Sequence, residues 1–476
     1  MKRLLAGLLP LLLVACASVP PQRPLDLHAE ARALASRQLN TPGLMAAEHR
    51  FGLSDQASAA WTPDRLTVAA WYFDPRLAYA RAAATRRAAD ATLAAQRTNP
   101  TLKLSPEKAF SGLTSGSPWT MGISLLVPLL HPGETAARRD VAAADTQAAH
   151  DQSALAIWQS RTRALRALRG VLLTRRAEKL ASAATLDWRA YLQGIRQRVQ
   201  AGADARSNEL MAQLDLQRAQ AALADRHVQR HRAEQALANA LGLPWGTLAK
   251  ARLKWPGLDT PPAPSALPPA ALAEDAAWNR LDLSVLLARY RASQARLRLA
   301  TGTRFPAMAV APGYIYDRGT RNFSFGVDLE LPLFHGAGAR IQAAAAARDE
   351  AAAAVRDRQM HILNALDAAR SDYAGRYAAW QQLKAAAATA SDAARRARRL
   401  RAAGQISSNT ALSAKVAAST ARLAADDALG RTLGALGRLE DVLQRPIWPA
   451  TRLTHMPTSP SSSAASANEA THAHRY

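Results

Sequence analysis

Two stretches decide the fold: FSFGVDLEL at 323–331 and WTMGISLLV at 119–127. In the first, Phe323, Phe325, Val327, Leu329 and Leu331 alternate with Ser324, Gly326, Asp328 and Glu330. In the second, Trp119, Met121, Ile123, Leu125 and Val127 alternate with Thr120, Gly122 and Ser124, and Leu126 is the exception. A period of two makes a strand with one apolar and one polar face. Each run has nine residues, close to the roughly 9–11 that a tilted strand needs to cross a bilayer. Weaker strands at about 101–110 and 307–316, interrupted by Pro106 and Pro312, complete predicted β-hairpins at 100–130 and 306–332. Pro128 and Pro332 are expected to end the strands and start the following helices. Alternation of this kind fits an outer-membrane barrel, whose polar set here (Ser124, Ser324, Asp328 and Glu330) would face the lumen. A half-buried soluble sheet alternates just as well. Four strands cannot close a barrel, and an open edge cannot sit in lipid. Either the strands are soluble, or three chains share twelve strands.

Around these hairpins the chain repeats itself. Asp74-Pro75-Arg76-Leu77 pairs with Arg280-Leu281-Asp282-Leu283, and Asn99-Pro100 with Phe305-Pro306, both 206 apart. Pro128-Leu129-Leu130-His131 pairs with Pro332-Leu333-Phe334-His335 at 204. Gly202, Leu210 and Pro244 pair with Gly404, Leu412 and Pro446 at 202. Ordered matches with so little drift predict two tandem structural copies. Each copy reads as a helix (about 62–97 and 270–304), a hairpin, a long helix (134–201 and 339–403), a glycine turn and a shorter helix (203–243 and 405–445). The long helices carry 3–4 apolar spacing, Leu155 to Leu172 and Val355 to Leu383, in the manner of a coiled-coil seam. A helix of that length is about 100 Å long, too long for a globular domain. Two short helices stacked end to end beside one long helix would give a tall column. The predicted division is 61–250 for the first copy, a Pro-rich linker at 251–269, 270–448 for the second copy, and a disordered Ser/Ala/Thr-rich tail at 449–476.

The N-terminus supplies an address. Lys2 and Arg3 precede a short apolar run, Leu4 to Val14, which ends Leu13-Val14-Ala15-Cys16. This resembles the lipobox of bacterial lipoproteins, so 1–15 reads as a signal peptide, Cys16 as the lipidation site and 16–60 as a lipidated surface segment. Ala17, by analogy with other lipoproteins, favours the outer membrane. Cys16 is the only cysteine, which excludes disulfides within the chain.

The formal charge of +24 invites a nucleic-acid reading. The arginines are spread through the helical runs with no zinc-finger or RNA-recognition spacing, so solvated helix faces are expected and no nucleic-acid partner. No glycine-rich phosphate loop, CxxC, HExxH or GxSxG occurs, so neither an enzyme nor a cofactor is predicted. His227 and His231, four apart on a helix, are too few for a closed metal site, as are His472 and His474. His131 and His335 recur at equivalent positions, where a structural role is expected.

The duplicated order of elements, with Asn-Pro-Thr-Leu at 99–102, the paired Pro-Leu-x-His, the turns at Gly202 and Gly404 and Leu-Gly-Leu-Pro at 241–244, resembles the TolC family of outer-membrane efflux proteins, in its lipoprotein branch. The second copy departs from the pattern, with Leu443-Gln444-Arg445-Pro446. The resemblance covers about 61–448. It implies a mainly α fold with a small β part, and a homotrimer with a twelve-stranded barrel on a helical tunnel. Its partners would be a periplasmic adaptor (a membrane fusion protein), an inner-membrane pump, expected to be of the RND type, and outer-membrane lipid. It also implies adaptor docking around Gly202 and Gly404, and a closed periplasmic tip held by Asp204, Asn208, Glu209 and Asn409. The competing reading is a periplasmic coiled-coil scaffold or adaptor lipoprotein with soluble strands.

Overall fold

The computed structural model describes residues 24–53, 60–111, 117–129, 133–248, 251–269, 273, 275, 277–302, 304–305, 308–330 and 337–448. Cys16, His131, Pro332, His335, His472 and His474 lie outside the described residues. The fold is mainly α with a small β part. Its elements are α1 (Leu27–Ala35), α2 (Pro42–Arg50), α3 (Pro63–Phe73), α4 (Pro75–Ala94), β1 (Thr101–Lys108), β2 (Trp119–Leu129), α5 (Glu134–Gln200) and α6 (Arg206–Leu241). After the stretch at 251–269 come α7 (Leu281–Gly302), β3 (Met308–Asp317), β4 (Thr320–Leu329), α8 (Ala337–Ala402) and α9 (Ser408–Leu443).

The long helices organise the rest. α5 touches α3, α4, α6, α7 and α9, while α8 touches α7 and α9. The expected seams bury Leu155, Leu165 and Leu168 on α5, and Ile362, Leu366, Tyr373 and Trp380 on α8. Cores form where short helices meet end to end at the waist. One gathers Leu44, Leu66, Trp71, Leu77, Leu168, Leu237 and Leu241. The other gathers Leu283, Ile362, Leu366, Leu439 and Leu443. Leu77, Leu237 and Leu241 of the first copy thus recur as Leu283, Leu439 and Leu443. No described helix is long and apolar enough to cross a membrane.

Four expectations need correction. The helix expected over 62–97 breaks at Asp74, because Pro75 has no N–H and its ring clashes with the preceding turn. Asp74 caps the new helix by accepting from Arg76 N at 3.0 Å. The second copy breaks at the same repeat position: Trp278 is helical, Asn279 turns and α7 starts at Leu281. Second, Pro128 does not end its strand. It pairs with Ala309 inside β2, which runs on to Leu129. Third, β4 runs from Thr320 to Leu329 instead of 323–331, because Arg318 (φ 50°) and Gly319 (φ 109°) make a two-residue hairpin turn. Fourth, the N-terminal segment is more than surface. Leu44 and Ala47 join the waist core, Arg65 pairs with buried Glu48 at 3.0 Å, and Arg37 donates to the carbonyls of Phe73 and Gly242. The proline-rich stretch also packs: the Tyr373 hydroxyl donates to Pro262 O, and Lys254 N donates to Trp61 O at 3.0 Å.

Candidate functional site

The four strands form one antiparallel sheet in the order β1-β2-β3-β4, leaving β1 and β4 as open edges. Register places Lys103, Ser124, Gly313 and Ser324 in a single cross-strand row. Directly paired residues share a face, so Ser124 and Ser324 lie together, as expected. Gly313 between them is tightly fitted: a Cβ there would stand 2.7 Å from Ser324 Oγ and 3.0 Å from Ile123 O, so its neighbours would have to shift. Asp328 joins this face opposite Ala309. Glu330 falls one residue past β4, exposed, so it is not a strand residue. Glu107, Thr120, Asp317 and Thr320 form a further row, with Thr120 donating to Asp317 at 2.8 Å. Glu107 and Asp317 were not singled out from sequence. Their strands, β1 and β3, are interrupted midway by Pro106 and Pro312, and only pairing reveals their face.

On β2 the exposure is inverted relative to that of a soluble sheet. Trp119, Met121, Ile123 and Leu125 are 40%, 52%, 45% and 39% exposed, whereas Thr120, Gly122 and Ser124 between them are half-buried. On β4, Phe323, Phe325 and Val327 are exposed as well. No described helix packs on the apolar side.

At the far end of the helices, Gly202 (φ 67°) and Gly404 (φ 73°) make matching turns. Ala203 N donates to Arg198 O and Gly202 N to Val199 O; Gln405 N donates to Leu400 O and Gly404 N to Arg401 O. This pattern satisfies the last carbonyls of a helix and needs a left-handed residue, which glycine supplies without strain. Asp204 accepts from Asn208 Nδ2 at 2.6 Å and from Arg198 Nε at 3.2 Å. The Asn208 amide and the Arg198 guanidinium hold its carboxyl below the usual range. Glu209 is taken by Arg196 at 3.0 Å. Asp204, Asn208 and Asn409 line one cleft of about 410 Å³ with Trp188 and Asp215, and Glu209 does not join them. Lys415 on α9 pairs with Asp187 on α5 at 2.7 Å, tying the two hairpins together. Arg196 and Arg198 were missed from sequence, although both face acids across the Gly202 turn. His227 Nδ1 lies 2.8 Å from Glu178 Oε1, and among the described residues no cluster of three or more His, Cys, Asp or Glu could hold a metal ion.

The matching turns, the duplicated hairpins and the uncovered apolar sheet face agree with the family comparison. Residues 71–243 match the family described as Outer membrane efflux protein. The match takes in α4, both strands of the first hairpin, α5 and α6. The matched span covers most of the first copy, and the second carries the same order of elements by internal repetition. The family is one of efflux channels and not of enzymes. No curated protein matches the chain. Among solved structures, the chain is similar to a membrane protein from Pseudomonas aeruginosa, with TM-score 0.64 and 19% identity over 80% of this chain and 92% of that one. It is similar to the outer membrane protein VceC from Vibrio cholerae, with TM-score 0.64 and 17% identity over 80% of this chain and 95% of that one. It is also similar to the MtrE outer membrane channel of Neisseria gonorrhoeae in its open state, with TM-score 0.60 and 17% identity over 80% and 88%. At these identities the likeness shows the fold.

Proposed function

We propose that the chain is the outer-membrane exit duct of a tripartite efflux system, a lipid-anchored homotrimer spanning the outer membrane and periplasm of a Gram-negative bacterium. The observation that carries this reading is the exposed apolar face of the sheet combined with its two open edges. A soluble sheet turns its apolar face to a core, and unpaired edges are not tolerated in lipid. Three copies joined β4 to β1 resolve both problems at once. Ser124, Ser324 and Asp328 then face the lumen, and Glu330 sits at its periplasmic rim. At the other end, Gly202 and Gly404 form the adaptor-docking turns. Asp204, Asn208 and Asn409 serve as the gate cleft, and Glu209 supports it through Arg196. Cys16 carries the lipid, and an RND-type pump lies beyond the adaptor. The uncovered apolar face weighs against the scaffold reading, since a periplasmic lipoprotein would leave it in water. Extraction from membranes tests this: a detergent-dependent, heat-labile trimer that conducts ions in a planar bilayer is expected. A monomer released without detergent would overturn it.

A further inference from the structure

The two hairpin tips are built alike and charged differently. At the first, Arg196 and Arg198 are neutralised by Glu209 and Asp204. At the second, five arginines crowd positions 395–401: Arg395, Arg396, Arg398, Arg399 and Arg401. Arg395 pairs with Asp392. Among the described residues, no hydrogen bond or ion pair engages the side chains of Arg396, Arg398, Arg399 and Arg401. The facing start of α9, from Ser408 to Ser419, contains no acid at all, only Lys415.

Helical geometry aims this charge outward. Ala397 is buried. At 3.6 residues per turn, Arg395 and Arg399 lie opposite it and Arg396 and Arg398 about 100° to either side, and all four are exposed. Leu400, 41% exposed, borders this arc, about 60° from Ala397 and beside Arg396. The patch runs into the Gly404 turn, where nothing lies within 4 Å of an added Cβ. An exposed leucine bordered by free guanidinium groups fits a protein-contact surface better than a solute filter, since interfaces enrich arginine beside apolar groups. Uncompensated like charges also repel one another until a counter-charge arrives.

We infer that the second hairpin tip, Arg395–Gly404, docks an acidic protein surface, so that the adaptor of this channel presents carboxylates at the contact with the second copy. This rests on the efflux-duct reading. The first copy, already neutralised, contributes no comparable charge selection.

The test uses the full chain in detergent and a labelled short poly-glutamate peptide, with poly-lysine as control. Binding is followed by fluorescence anisotropy at roughly 50 and 300 mM salt, which spans strong and weak screening. The tip variant is Arg396→Gln, Arg398→Gln, Arg399→Gln and Arg401→Gln. A matched variant changes the exposed Arg289, Arg304, Arg340 and Arg356 to Gln, removing equal charge elsewhere. Poly-glutamate should bind the parent chain in low salt, about tenfold more weakly to the tip variant, and nearly unchanged to the matched variant. Equal weakening in both variants, or none in either, overturns the inference. So does a tip variant that alters only anion-over-cation permeability in a bilayer, which would make the arginines a solute filter. A parent chain that never conducts would defeat the duct reading while leaving the peptide comparison readable.

Discussion

The two waist junctions occupy equivalent places in the repeat and are made by different chemistry. At the first, α6 ends on Gly242 (φ 68°), and a Cβ there would stand 2.7 Å from Phe73 O and 3.0 Å from Pro75 Cδ. The helices meet so closely that only glycine fits. Arg37, from the N-terminal segment, clamps the joint by donating to Phe73 O at 2.9 Å and Gly242 O at 3.0 Å. At the second, α9 ends on Gln444 (φ 49°), a left-handed residue with a side chain. The opposing position is Leu281 instead of proline, so an N–H is available, and Gln444 Oε1 accepts from it at 2.7 Å. Arg280, within the joint itself, donates to Val442 O and pairs with Asp282. The first joint is closed by close approach and an outside clamp, the second by side-chain hydrogen bonds. A proline in one copy thus dictates a glycine some 170 residues away in sequence, while its absence in the other copy permits a glutamine.

Exchanging the solutions should break the symmetry hardest. Gly242→Gln imports the second joint's residue into a space already filled by Phe73 O and should cost more than about 3 kcal/mol. The expected outcome is a large drop in thermal midpoint, or failure to recover folded chain. Next comes Arg37→Ala, which strips two carbonyls of their shared donor and should cost about 2 kcal/mol in denaturant unfolding. A midpoint within error of the parent would mean the N-terminal segment does not hold the first joint.

The acid side of the second joint is the subtler test. Burial pushes the Asp282 carboxyl up, but hydrogen bonds and charge from Arg280 and Arg358 outweigh it and hold the group at about 2, below its usual 3.8. A depressed carboxylate contributes stability above its unfolded value and loses it as pH falls through 3.8 toward 2. Asp282→Asn should therefore flatten the acid limb of the stability curve between those values, by about 1 kcal/mol once solvent screening is allowed for. An unchanged limb would assign the acid response elsewhere. The smallest effect is expected from Gln444→Gly, where relief of the left-handed conformation and loss of the hydrogen bond to Leu281 each amount to about 1 kcal/mol and nearly cancel. A loss well above that would mean the glutamine side chain dominates the joint.

Much of this was legible in the sequence. The repeat offsets located both long helices to within a few residues, since periodicity over more than sixty positions averages out local noise. The alternation in 119–127 and 323–331 revealed two strands, and the pairing puts Ser124, Ser324 and Asp328 on one face of the sheet. What failed was local. Pro75 broke a helix whose apolar pattern ran straight through it, and Arg318-Gly319 turned the chain without an Asn-Gly signal. Pro128 sat inside a strand it was expected to close. The tip residues Asp204, Asn208 and Asn409 were brought to one cleft, whereas Glu209 was claimed by Arg196, a pairing that depends on how two helices rotate about a turn. The N-terminal helices escaped because Leu44 and Arg37 find their partners in α3 and α6, far along the chain.

The open sheet also bears on how the chain survives before assembly. Its two rims are unequal. β1 carries Lys103, Pro106 and Lys108, and charge and proline are the ordinary guards against stray strand pairing. β4 has no proline in TRNFSFGVDL, and its charges, Arg321 and Asp328, stand near its ends, which leaves Asn322 to Val327 uncharged. A lone chain is therefore better guarded at one rim and more adhesive at the other. Two chains meeting β4 to β4 would cover the adhesive rim, leave only guarded ones outside, and halt as a dead-end pair. In the trimer proposed above, each adhesive rim would have to find a guarded one, so the unevenness that limits aggregation would also set the head-to-tail direction in which the ring grows.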